Sequence, residues 1–179
     1  MDIETIKSQI PDYAKDIKLN LSSVLTPNGA PGLDARMISA VAVASALTVG
    51  NETLAEALKA PELDEDTLQA AQTAVAIMGM NNIYYRFTHL VSEKDYQTMP
   101  ARLRMNAIGK PGIDKAEFEL LCLAVSAING CGMCMDSHEK IVRQAGIEKE
   151  AVQSAVRIAA VIHAVSVTVK TNVARREAA

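Results

Sequence analysis

Apolar residues recur along this chain at the three- and four-residue spacing of helices. No stretch alternates apolar and polar positions between turn signals, as a half-buried strand requires. The pattern predicts a helix that takes Pro11 into its first turn and runs to about Leu25. A loop follows at Thr26-Pro27-Asn28-Gly29-Ala30-Pro31-Gly32. Further helices are expected over 34–48, 51–59, 65–78, 81–92, 115–128, 131–145 and 148–173, with Asp34 and Asp114 as N-caps. Glu93 to Lys110, interrupted by Pro100 and Gly109, reads as a connector with at most a short helical turn. The expected fold class is all-α.

The pattern also repeats. Ala30-Pro31-Gly32-Leu33-Asp34 returns 80 positions later as Lys110-Pro111-Gly112-Ile113-Asp114, and each copy leads into an apolar stretch ending at Gly50 or Gly130. A second match sets Leu63, Asp66, Leu68, Gln69 and Ala71 against Ile147, Glu150, Val152, Gln153 and Ala155, now 84 apart, so four extra residues belong in a loop. Two blocks in the same order argue for duplication. The expectation is one helical domain over 1–179, with an N-terminal half of about 1–95 and a C-terminal half of about 108–175.

Composition narrows the interior. With 49% apolar residues but only 3% aromatic and no Trp, the core is built from Ala, Val, Leu, Ile and Met, which suits closely packed helices. A net charge of −3 provides no basic stripe for nucleic acid, and Arg175-Arg176 reads as tail solvation. The start, Met1-Asp2-Ile3-Glu4, lacks the basic and apolar regions of a secretory signal. The most apolar runs, Ile38 to Val49 and Ile158 to Val169, are shorter than the roughly 20 residues that cross a bilayer. A soluble, cytoplasmic protein without membrane partners is expected. In a reducing compartment three cysteines do not make a structural framework, so a close pair points to catalysis, sensing or metal binding.

That pair is Cys131-Gly132-Met133-Cys134, with His138 four residues beyond. If a helix begins near Cys131, rotation of about 100° per residue puts Cys131 at about +60°, Cys134 at 0°, His138 at about +40°, Ile141 near −20° and Ala145 near +20°. Asp136, Lys140 and Arg143 fall around the opposite pole, so the thiols and imidazole face inward. A thiol with a pKa near 8.5 is only about 3% thiolate at pH 7, and lowering the pKa to about 6.5 would make roughly three quarters reactive. Helix N-terminal amides and His138 are both placed to lower it for Cys134, the better nucleophile, leaving Cys131 to resolve. Subtracting 80 sets Cys131 against Asn51, Cys134 against Leu54, His138 against Leu58 and Glu119 against Ser39. The first half therefore carries no such chemistry.

Glu119 is the one carboxylate within Phe118 to Ile128. It is either a rim residue paired with Lys115 or a buried acid or base beside His138. Cys122, within Leu120-Leu121-Cys122-Leu123, reads as a small buried hydrophobe. Zinc held by Cys131, Cys134 and His138, with Glu119 as a fourth donor, or a redox-sensing module using the same residues, is the alternative reading, although a Cys-Cys-His-Glu set is not a common structural site. Haem attachment would need His where Met135 stands. His89 and His163 read as core or interface histidines, and Met80, Met133 and Met135 as packing groups exposed to oxidation if near the site.

Glu119, eleven intervening residues, Cys131-x-x-Cys134 and His138 resemble the signature of alkyl hydroperoxide reductase D (AhpD), in the carboxymuconolactone decarboxylase-like group. The resemblance extends over the whole chain, including Met80-Asn81-Asn82-Ile83-Tyr84-Tyr85-Arg86-Phe87. It implies an AhpD-like helical fold, a homotrimer, and an antioxidant peroxidase driven by dihydrolipoamide. The electron source would be a lipoylated acyltransferase with dihydrolipoamide dehydrogenase. It also implies reduction of a peroxiredoxin partner, alkyl hydroperoxide reductase C. On that likeness Cys134 is the peroxide-reactive thiolate, Cys131 the resolving thiol, and His138 with Glu119 the proton relay. Some members carry a histidine between the cysteines where this chain has Met133. Relatives that decarboxylate lactones lack the dithiol.

Overall fold

The computed structural model describes residues 2–177, with side chains as far as Asn172. Arg175 and Arg176 thus have side chains outside the described residues. Eight α-helices follow one another: α1 (Ile3–Ser8), α2 (Lys15–Val24), α3 (Ala35–Thr48), α4 (Glu52–Ala57), α5 (Glu65–Leu90), α6 (Lys115–Ile128), α7 (Gly132–Gln144) and α8 (Lys149–Glu177). Among the described residues there is no strand, and the fold is all-α.

Side-chain caps start most of these helices where the sequence predicts. Asp34 accepts from the Met37 amide at 2.8 Å, and Asp114 accepts from the Ala116 and Glu117 amides at 2.9 and 3.2 Å. Asp64 accepts from the Thr67 amide and hydroxyl, and these bonds hold its carboxyl below the ordinary range. Caps of the kind that Asp34 and Asp114 form are each worth about 1 kcal/mol.

At the centre lie α3 and α6, which pack against each other and against α5 and α8. In both, an unbroken run is buried: Met37 through Ala46 in α3 and Phe118 through Ser126 in α6. Helices with little or no polar stripe are stable only when neighbours cover every side. α5 and α8 provide that cover, and α7 lies against α6 and α5. Gly32 (φ 83°) is required for a close approach, because a Cβ there would come within 2.8 Å of Ala151 at the start of α8.

The differences from the expected elements have physical causes. α1 is a six-residue helix without an obvious pattern; it exists because Asp2 caps it and Ile6, with Ile10 just beyond, buries against the protein. After Pro11 the chain makes a 3₁₀ turn at Asp12–Ala14 before α2 begins. The expected helices over 65–78 and 81–92 are one helix, since the buried stripe Ala70, Ala71, Ala74, Met78, Asn81, Asn82 runs straight past Gly79. The connector holds two 3₁₀ turns, Lys94–Gln97 and Asn106–Gly109. In α8, the segment Lys149–Asn172 is long and apolar enough to cross a membrane, which corrects the shorter estimate made from the apolar run alone. Ala151, Ala155, Ile158, Ala159, Ile162 and Val165 form its stripe against the core, and Arg157, His163 and Lys170 lie exposed on other faces. That stripe packs against α2, α3 and α6.

Gly79 sits in the exposed face of α5 with open space around the position of a Cβ. Gly79→Ala is expected to stabilise the fold by about 1 kcal/mol, by removing backbone freedom from the unfolded chain. Thermal unfolding should show a midpoint about 2–4 °C higher.

Candidate functional site

The site is assembled at the turn between α6 and α7. α6 ends at Ile128 with Asn129 as its C-cap, Gly130 adopts φ 68°, and the Cys131 amide returns to the Ser126 carbonyl at 3.1 Å. A residue with a Cβ would be strained at Gly130. Cys131 then serves as the N-cap of α7: its sulfur accepts from the Cys134 amide at 3.3 Å and its carbonyl from the Met135 amide at 2.9 Å. A one-turn separation brings Cys131 and Cys134 to a Cα–Cα distance of 5.3 Å, and they are joined as a disulfide. Cys131 is completely buried, whereas Cys134 keeps 6% of its surface.

His138, one turn beyond Cys134, also faces inward, as do Cys134 and Val142; Asp136 and Lys140 face solvent. Ala145 departs from the predicted inward face, because it caps the end of α7 and is exposed. Glu119 is 1% exposed and lies within 2.6 Å of His138, Oε2 to Nδ1. Lys115 is exposed, so of the two sequence readings of Glu119 the buried one holds. His138 Nε2 lies 3.2 Å from the sulfur of Met78. Two bare acceptors would not approach to 2.6 Å, so a hydrogen bond joins Nδ1 and the carboxylate. The result is a hydrogen-bonded acid–imidazole pair, sheltered from water, one helical turn from a sulfur.

These groups line a cavity of about 270 Å³. α7 contributes Met133, Cys134, Ser137, His138 and Ile141, and α6 contributes Glu119. α5 adds Met78, Asn81 and Tyr85, and the connector adds Ile108. Cys131 is not in the wall. The last four residues were not among the sequence candidates for the site; their only signal was the 78, 81, 85 spacing, which puts three side chains on one face of a helix. Met133 lines the cavity as suspected, but Met80 and Met135 do not. His89 and His163 are exposed and lie outside it. Among the described residues no three His, Cys, Asp or Glu side chains converge on a point that would hold a metal ion.

A polar network supports the turn from behind. Asn82 donates to Ser126 Oγ at 2.8 Å and accepts from Asn129 Nδ2 at 3.0 Å, and Arg86 donates to the Asn129 carbonyl. Cys122, on α6, is fully buried, and that burial, with the nearby Glu119 charge, pushes its thiol well above the ordinary range.

Fold and site together define an all-helical protein with a redox-capable dithiol opening into an apolar cavity. Comparison with known proteins is consistent with that class. The Carboxymuconolactone decarboxylase family matches residues 94–172, the span of the connector, α6, α7 and most of α8. The chain is 54% identical over 171 residues to alkyl hydroperoxide reductase AhpD of Gluconacetobacter diazotrophicus, covering 94% of this chain and 92% of that protein. It is 53% identical over 177 residues to alkyl hydroperoxide reductase AhpD of Rhodopseudomonas palustris, covering 97% and 96%. The chain belongs to the AhpD-like carboxymuconolactone decarboxylase family.

In the reduced, folded protein, iodoacetamide at pH 8 is expected to label Cys134 and to leave Cys122 unmodified until denaturant is added. Peptide mass spectrometry of samples quenched over time checks this order; labelling of Cys122 in the native protein at a comparable rate would contradict it.

Proposed function

We propose that the chain is an antioxidant thiol-disulfide oxidoreductase that reduces alkyl hydroperoxides, cycling Cys131 and Cys134 between dithiol and disulfide. The observation that carries this reading is the asymmetric disulfide. One sulfur, Cys134, is in the cavity wall beside the His138–Glu119 pair, and the other, Cys131, is sealed behind it.

In the reduced enzyme the Cys134 thiolate attacks the distal oxygen of the hydroperoxide. The S–O bond forms as the O–O bond breaks, and the departing alkoxide takes a proton held by His138 and Glu119 to leave as an alcohol. Cys131 then attacks the Cys134 sulfur; an S–S bond replaces the S–O bond and water leaves. A dihydrolipoyl group returns two electrons by thiol-disulfide exchange and becomes a cyclic disulfide. It enters through Cys134, the sulfur within reach. This donor is the lipoyl arm of an acyltransferase, kept reduced by dihydrolipoamide dehydrogenase. The same dithiol also reduces the oxidised peroxiredoxin partner, alkyl hydroperoxide reductase C, and the protein works as a homotrimer in the cytoplasm. A second reading gives Cys131, Cys134 and His138 a sensing role or a zinc ion; for zinc, no three His, Cys, Asp or Glu side chains converge among the described residues.

Cys134→Ser and Cys131→Ser are each expected to abolish turnover with dihydrolipoamide and an organic hydroperoxide, with helical circular dichroism unchanged. Cys131→Ser should still be oxidised once and accumulate a sulfenic acid on Cys134 that dimedone traps; Cys134→Ser should not. Turnover retained in both variants would remove this reading. Offering oxidised peroxiredoxin in place of hydroperoxide in the same coupled assay separates direct from relayed reduction.

A further inference from the structure

Asn81 lines the reactive cavity from α5, on the same face as Met78 and Tyr85, and is only 5% exposed. Among the described residues, its Oδ1 is the one buried side-chain oxygen or nitrogen without a hydrogen-bond partner. Leaving an acceptor dry and unpaired costs about 1–3 kcal/mol, and such groups in folded proteins ordinarily find partners. Its neighbour Asn82 does find them, in Ser126 and Asn129. A leucine would fill nearly the same space as Asn81 without that cost, so packing alone does not account for the amide.

Of the other polar groups of the cavity, the hydroxyls of Tyr85 and Ser137 stand at half-buried and exposed positions within reach of water. Glu119 and His138 hold each other, and the remaining imidazole nitrogen faces Met78. The buried acceptor left for a bound molecule carrying one hydrogen-bond donor is therefore Asn81 Oδ1. An alkyl hydroperoxide has one such donor: the O–H on its distal oxygen, the atom a thiolate attacks. Its carbon portion suits the apolar wall formed by Ile108, Met133 and Ile141.

Resting on the peroxidase reading above, we infer that Asn81 is the substrate-orienting residue of this site, accepting the hydroperoxide O–H through Oδ1 and so presenting the distal oxygen to Cys134. The hydrogen does not move during the reaction. It stays on the transferred oxygen, which passes from ROOH to the Cys134 sulfenic acid while the O–O bond breaks and the alkoxide departs with its electron pair. As that pair leaves, the transferred O–H becomes more electron-poor and its hydrogen more acidic. The bond to Asn81 therefore strengthens towards the transition state, the condition under which an interaction raises rate rather than affinity alone.

Stopped-flow oxidation of the reduced full-length protein by cumene hydroperoxide tests this, with Asn81→Leu and Asn81→Ala beside the wild type. Both variants are expected to be oxidised about tenfold more slowly, the loss of one hydrogen bond of ordinary net strength. Reduction of the disulfide by dihydrolipoamide and the pH profile of Cys134 alkylation should remain those of the wild type. The melting temperature of Asn81→Leu should be equal or higher, whereas a structural asparagine would lower it. Wild-type oxidation rates in both variants, equal losses in the oxidative and reductive half-reactions, or a displaced alkylation profile would each overturn the assignment. Failure of the wild type itself to react with the hydroperoxide would overturn direct peroxide reduction as well, which separates that outcome from failure of the Asn81 assignment alone.

Discussion

The contact on which the site depends is the one between Glu119 and His138. A carboxylate with 1% exposure, on a helix buried from Phe118 to Ser126, has lost nearly all its water and must be compensated by a partner. Among the described residues its partner is the imidazole on α7, so the pair ties α7 to α6. Breaking a buried pair by removing one member typically costs about 3–5 kcal/mol, because the remaining group is left uncompensated. Met78 occupies the other imidazole nitrogen, so three helices converge on one ring. The group that would move the proton is held with little freedom to turn away from Cys134.

The second constraint is the turn that delivers the sulfurs. Gly130 allows the reversal, and the Ser126 carbonyl receives the Cys131 amide. The side chain of Ser126 and that of Asn129 are in turn held by Asn82 from α5. A helix that contributes no thiol and no titrating group to the reaction thus fixes the backbone from which the cysteines project. α5 supplies both the rear support through Asn82 and the cavity face through Met78, Asn81 and Tyr85. Residues 81 and 82, adjacent in sequence and about 100° apart around the helix, serve the cavity and the turn respectively.

Most of the fold was legible because its cues are local. Asp34 and Asp114 are capping residues at the spacing a helix start requires, and α3 and α6 follow from uninterrupted apolar runs. The inward face of Cys131, Cys134 and His138 was also legible, since it depends only on helical rotation once the start of α7 is placed. The continuity of α5 was not, because Gly79 has the local preference of a break and only tertiary burial overrides it. Met78, Asn81 and Ile108 were invisible as site residues for a different reason. Each reaches the cavity from an element distant in sequence, and an amide or thioether carries no chemical signature of its own. Glu119 stood between: its isolation in an apolar run flagged it, but Lys115 and His138 were both admissible partners until the helices were placed.

The first half clarifies what the chemistry adds to the fold. There Gly50 makes the same reversal as Gly130, with φ 65° against 68°. Asn51 caps α4 by accepting from the Leu54 amide, just as Cys131 accepts from Cys134. Ser39, at the position matching Glu119, donates to the carbonyl of Leu58, at the position matching His138. The corresponding places therefore meet in both halves, but α4 has already ended when the chain reaches Leu58, its C-cap. α7 continues six residues past His138. A side chain on a terminal residue is free to fray with the last turn, whereas one in the middle of a helix keeps its backbone direction. A Glu–His pair short enough to share a proton needs the second arrangement. The longer α7 is therefore part of the site: it supplies the rigidity that holds His138 one turn from Cys134.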